Sequence, residues 1–147
     1  MADNGVQDKE NKEEVHFPQT WEELIEENPL LGSLPGLKPA ERFTFADAAR
    51  FNVMCARLIG TYVQQQGDDV DTVDAVVNAV EERNKAVEGA LGFYKAIADE
   101  PDGVDAFTVG VGADVLYLLL IEVTVFYANA LGKSAASKAS STGTKQS

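Results

Sequence analysis

The segment from Val115 to Leu131, VLYLLLIEVTVFYANAL, constrains this chain more than any other stretch. It reads as the most apolar helix of the protein. It falls somewhat short of the ~20 residues that a bilayer span requires. Glu122 stands in its middle, and Asp114 and Asn129 lie near its ends. A charge at the centre of a span is costly in lipid. The segment is therefore expected to be the central helix of a soluble bundle. Any part of its surface left exposed would be an oligomer or partner interface.

The remaining periodicity is also helical, which predicts an all-α fold, a small helical bundle of about four helices. Thr20 followed by Glu23 fits a capping box, and Trp21, Leu24 and Ile25 then share a face. Pro29 ends this short first helix by Asn28. The stretch NPLLGSLPGLKP, residues 28–39, is a loop punctuated by Pro and Gly, with leucines 30, 31, 34 and 37 too apolar for a solvated linker. It either packs over the helices or docks a partner. Thr44 is the expected N-cap of the second helix, with Asp47 in its first turn, Phe45, Ala48, Phe51, Cys55, Leu58, Ile59 and Tyr62 as its stripe, and Gly67 closing it.

Aspartates 68, 69, 71 and 74 invite a calcium-loop reading, but Asp74 and Val80 stand where the loop needs Gly and an acid. They are expected to cap a third helix from about Asp71, with Val73, Val76, Val77, Val80, Val87, Leu91 and Tyr94 as its apolar stripe. Pro101-Asp102-Gly103 is a turn signal, and residues 104–112 read as a loop or a first helical turn.

Composition sets the function classes. The chain has 147 residues, with 24 acidic against 12 basic side chains and a net charge of −12. That is enough for one domain with a core, and the charge argues against nucleic acid or an anionic membrane as partner. Residues 1–16 are expected to be a disordered acidic arm, without the features of a secretory signal. Residues 17–132 form the expected helical domain. Residues 133–147 are expected to be a disordered Ser/Ala/Lys tail, because such a sequence builds no core.

No catalytic constellation is visible. His16 is the only histidine, so a histidine triad or multi-histidine metal site has no material. Cys55 lies on an apolar stripe and reads as an inert, buried thiol. Gly110-x-Gly112 is an incomplete dinucleotide fingerprint with no strand before it. Glu22, Glu23, Glu26 and Glu27 form either a solvated face or a charged docking face. The expectation is a protein that is not an enzyme, carries no cofactor or metal, and binds other proteins.

Two stretches carry a family resemblance: WEELIEENPLLGSLPGLKPAERFTFADAARF and LYLLLIEVTVFYANALGKSAASKASS. With the helical block between them, they resemble the short form of the tail assembly chaperones of long-tailed bacteriophages, especially those of actinobacterial hosts. In that family, ribosomes slip backward near the end of the reading frame, often at Gly-Lys, and a minority product gains a different C-terminal extension. Gly132-Lys133 stands at the corresponding junction here. The resemblance implies binding to the tape measure protein, keeping it soluble and helping recruit the tail tube protein. It also implies partnership with a frameshifted longer form and a place in the host cytoplasm, absent from the mature virion.

Leu30, Leu31, Leu34 and Leu37, with Glu22, Glu23, Glu26 and Glu27, are the expected contact residues, and homo-oligomers are expected. Two other classes compete. One is a small acidic structural or connector protein of the virion. The other is an acidic regulator that mimics nucleic acid.

Overall fold

The structure is a computed structural model that describes residues 17–67 and 71–146, with side chains through 133. The expected arm 1–16, His16, Asp68 and Asp69 lie outside the described residues. Five α-helices occur among the described residues: α1 (Trp21–Glu27), α2 (Phe45–Gln66), α3 (Val73–Ala96), α4 (Pro101–Thr108) and α5 (Ala113–Gln146). The fold is all-α, with one helix more than expected. Two short 3-10 turns, Pro29–Ser33 and Ala40–Arg42, punctuate the connection between α1 and α2.

Capping explains most of the starts. Thr20 accepts from the Glu23 N–H at 3.1 Å, while Glu23 Oε1 accepts from the Gln19 N–H at 2.6 Å. Thr44 and Asp47 form a reciprocal capping box at α2. At α3 the cap is Thr72, which accepts from Ala75 N–H, and not the aspartates; Asp74 contributes only first-turn charge.

The unexpected helix is α4. Pro101 does not make the expected turn, because it sits at the first helical position, where a missing N–H costs nothing. Val104 and Phe107 then fall on one face and bury fully. Gly110, at φ +79°, turns the chain from α4 into α5 in a conformation that glycine adopts without a Cβ penalty.

The α5 backbone passes through Gly132-Lys133 and is helical to Gln146, over the segment that the sequence reads as a tail from 133. Residues 134–146 contain no proline, and their single glycine, Gly143, costs a helix only about 1 kcal/mol relative to alanine.

Packing is led by the α2–α3 hairpin, with α5 laid along one of its faces. Tyr117, early in α5, lies 6.1 Å from Tyr62 near the end of α2, and Tyr127, later in α5, lies 6.3 Å from Phe51 near its start. Thus α5 runs antiparallel to α2 and parallel to α3. Trp21, Phe43, Phe51, Phe93, Tyr94, Phe126 and Tyr127 interlock with ring separations from 5.3 to 6.5 Å, which concentrates the core at one end of the hairpin.

Inside it, Tyr94 and Thr124 share a buried hydrogen bond of 2.8 Å, and the Thr124 hydroxyl also reaches Met54 Sδ at 3.8 Å. These contacts join α3, α5 and α2. The connection 28–43 packs at the same end: Leu31 is fully buried, Tyr127 donates to the Lys38 carbonyl at 2.7 Å, and Leu37 and Ala98 form an antiparallel bridge. Gly36 lies close to Asp99 there: a Cβ would stand 2.6 Å from Asp99 Oδ2, so the exposed Asp99 carboxylate would have to swing aside.

Two stripe assignments hold only in part, since Phe51, Leu58, Val87 and Tyr94 are buried as expected while other members are not. Phe45 is 88% exposed. Asp47 is turned inward by the capping box, and residues two apart on a helix point about 200° apart. In α3 the buried face is Ala86, Val87, Ala90, Phe93 and Tyr94, whereas Val73, Val76, Val77 and Val80 remain exposed. Those valines lie toward the end of the hairpin away from the aromatic core.

Candidate protein-binding surface

The hairpin has two faces, and α5 covers one. On the other, a groove of about 490 Å³ runs between α2 and α3. Its walls are Ala49, Val53, Met54, Ala86, Gly89, Gly92 and Phe93, among others, with Arg50 and Arg57 on the α2 side. Small residues let a second backbone approach closely. A Cβ placed at Gly92 would meet nothing within 4 Å, and one at Gly89 would meet only Arg57 at 3.9 Å. Phe45, Ala49 and Val53 fall at helical spacing along α2, and Val53 is 59% exposed. A concave apolar strip between two helices suits a third helix laid into it.

Its charge differs from that of the rest of the chain. The groove lining holds two arginines and no acid, in a protein with twice as many acids as bases. Arg50 donates to Asp47 Oδ1 at 3.0 Å, and Lys38 donates to Asp47 Oδ2 at 2.7 Å. The Lys38 hydrogen bond and the Thr44 N–H hold the Asp47 carboxyl at a pKa of about 2, against the opposing pull of burial. Asp47 is thus a structural anion that fixes the start of α2 beside the groove.

The leucines of the 28–39 stretch are divided by the structure. Leu31 belongs to the core, Leu34 and Leu37 are half-buried against it, and Leu30 is 53% exposed. The packed reading of this loop therefore holds for three of the four. Leu31 is closed to a partner in this conformation.

The glutamates of α1 are also not equivalent. Glu23 is committed to the cap, while Glu22, Glu26 and Glu27 are exposed. Gly132 and Lys133 are exposed on α5, beyond Tyr127, the last buried residue of the helix among the described side chains, and Lys133 Nζ donates to Gln19 Oε1 at the entrance to α1.

The groove itself escaped the sequence reading. Its signal was the run of small residues 86, 89, 90, 92 and 96 along one side of α3, which carries no apolar stripe of its own.

Other chemistry is sparse. Cys55 is half-buried, and burial raises its thiol pKa, which opposes thiolate formation. Burial likewise raises the phenol pKa values of Tyr94, Tyr117 and Tyr127. Among the described residues, no three His, Cys, Asp or Glu side chains cluster with metal-ligand geometry. The segment Ala113–Lys133 is long and apolar enough, by length and composition, to cross a membrane, with a mean hydropathy of 1.8. In this fold one of its faces is core, and the other carries Asp114, Val115, Leu118 and Glu122. No family model, curated protein or solved structure matches this chain.

Proposed function

We propose that this chain is the short form of a tail assembly chaperone of a long-tailed bacteriophage. In this reading it binds the tape measure protein in the host cytoplasm, keeps it soluble, promotes tail tube polymerisation around it, and is absent from the mature virion. The observation that supports the reading is the uncovered α2–α3 groove: apolar, about 490 Å³, and floored by residues too small to exclude a helix. A tape measure protein is long, helical and apolar in stretches, so it needs a cover of this shape before the tube forms.

The mechanism is physical. A client helix lying in the groove removes its apolar ridge from water, at roughly 25 cal/mol per Å² of apolar surface. The net charge of −12 then keeps coated complexes apart. A frameshift at Gly132-Lys133 is compatible with the fold. The junction follows Tyr127, so a replaced extension would leave the buried residues of α5 from Leu116 to Tyr127 in place. The longer form would carry a client- or tube-binding module on the same body.

Co-expression tests this directly. The chain should keep its own phage's tape measure protein soluble and co-purify with it, and deletion of residues 134–147 should leave binding intact. Recovery of the chain in purified particles would instead favour a connector or other virion component. A tape measure protein that stays insoluble, beside capture of a basic host protein, would favour the acidic mimic.

A further inference from the structure

The hairpin carries a second unpartnered surface, on α3 and away from the groove. Val73, Val76, Val77 and Val80 follow the i, i+3, i+4, i+7 spacing of a single helix face, and they are 78%, 46%, 47% and 37% exposed. Four neighbouring valines on one ridge differ from the scattered apolar residues of an ordinary surface. Beside this ridge runs an acidic row. Asp74, Glu81 and Glu88 recur at intervals of seven, each one position past the valine ridge or its continuation, and all three are exposed. Asp71 stands at the start of the same helix. On the opposite flank Arg83 is half-buried, close enough to Tyr117 to lower its phenol pKa against the larger effect of burial. Lys85 is exposed on the far side of the acidic row.

We infer that α3 from Val73 to Glu88 is a docking surface for a partner's amphipathic helix whose apolar seam is flanked by lysine or arginine. The ridge supplies the apolar contact, and the row at 74, 81 and 88 supplies the charge that selects a basic flank. A second copy of this chain is the poorer occupant. It would bring two such acidic rows together in a protein of net charge −12, and screening at physiological salt acts only beyond about 8 Å. The local charge here is opposite to that of the Arg50–Arg57 groove, so the two surfaces select different helices. This inference does not depend on the tape measure reading.

The test uses the full chain and synthetic helices about five turns long. Three peptides are titrated by fluorescence anisotropy: a leucine seam flanked by lysines, the same seam flanked by glutamates, and a scrambled lysine peptide. The lysine-flanked helix should bind at least about tenfold more tightly than either of the others. The double substitution Val73→Ser/Val77→Ser should weaken it at least about tenfold while the chain keeps a cooperative melt, since Val73 is 78% and Val77 47% exposed and neither belongs to the buried core. Glu81→Lys/Glu88→Lys should reverse the preference between lysine and glutamate flanks. Gly92→Leu, which adds a side chain to the groove wall, should leave the lysine peptide bound.

Equal binding of the scrambled or glutamate peptide overturns the inference, as does indifference to the valine substitutions. Loss of binding on Gly92→Leu also overturns it, by moving the peptide to the groove. Binding that appears only after removal of residues 1–16 makes the chain's own arm the occupant. Loss of self-association in Val73→Ser/Val77→Ser, with no peptide bound, makes a second copy the occupant. Both of these outcomes likewise overturn it. A chain that binds the lysine peptide but not its tape measure protein fails the chaperone reading alone.

Discussion

At the scale of single residues, position in the helix turn decides role more than residue type does. Leu30 and Leu31 are neighbours of the same type, yet Leu30 is half in water and Leu31 has no exposure. Leu31→Ala should cost about 2–5 kcal/mol, and Leu30→Ala should fall within about 0.5 kcal/mol of the parent, both read by urea denaturation. The loop's apolarity was legible in the sequence. Which leucine turned inward was not, because that depends on the 3-10 turn Pro29–Ser33 and on the surface it meets. The buried Tyr94–Thr124 pair was not legible either, since its partners are 30 residues apart and the bond exists only once α3 and α5 are packed in register. Thr124→Val leaves the Tyr94 hydroxyl without its partner and should cost about 1–3 kcal/mol. The double substitution Tyr94→Phe/Thr124→Val should be less damaging than the sum of the single changes, because no hydroxyl is then left unpaired. A strictly additive cycle would show that the bond contributes nothing.

At the scale of elements, local signals predicted helix starts well, and helix faces well for α1 and most of α2 but only in part for α3. Thr20, Thr44 and the stop at Asn28 follow from side chains within four residues of the cap, so the sequence alone reveals them. The extra helix α4 was hidden because Pro101-Asp102-Gly103 serves a turn or a helix start equally well, and only the burial of Val104 and Phe107 decides between them. The start of α2 has a predictable pH dependence. The Asp47 carboxyl is held at about 2, below its ordinary value of 3.8, so the folded state binds this proton less readily than the unfolded chain does. Its contribution is present above about pH 4 and is lost as the pH falls towards 2. Asp47→Asn should therefore lower stability at neutral pH and flatten the acid limb between pH 4 and pH 2 in thermal melts. A parallel offset of the two curves, with the limb unchanged, would assign the acid sensitivity to other carboxylates.

At the scale of the whole molecule, the central property is what is left uncovered. The all-α class follows from the sequence, because apolar residues recur at helical spacing nearly throughout. The surface did not, because the valines of α3 look like a core stripe until α5 is seen to pack against a different face. The groove was hidden for the complementary reason: alanine and glycine give no hydrophobic periodicity, yet they shape the concavity. Gly92→Leu separates binding from stability. The new side chain enters open space, and replacing an exposed helical glycine should stabilise the fold by about 0.5–1 kcal/mol. Co-purification of the tape measure protein with the parent chain and with Gly92→Leu is therefore the most direct measurement. The account predicts that the parent retains the client in solution, and that Gly92→Leu loses it while melting at the same or a higher temperature. A folded Gly92→Leu chain that holds the client as well as the parent does would contradict the groove as the client site.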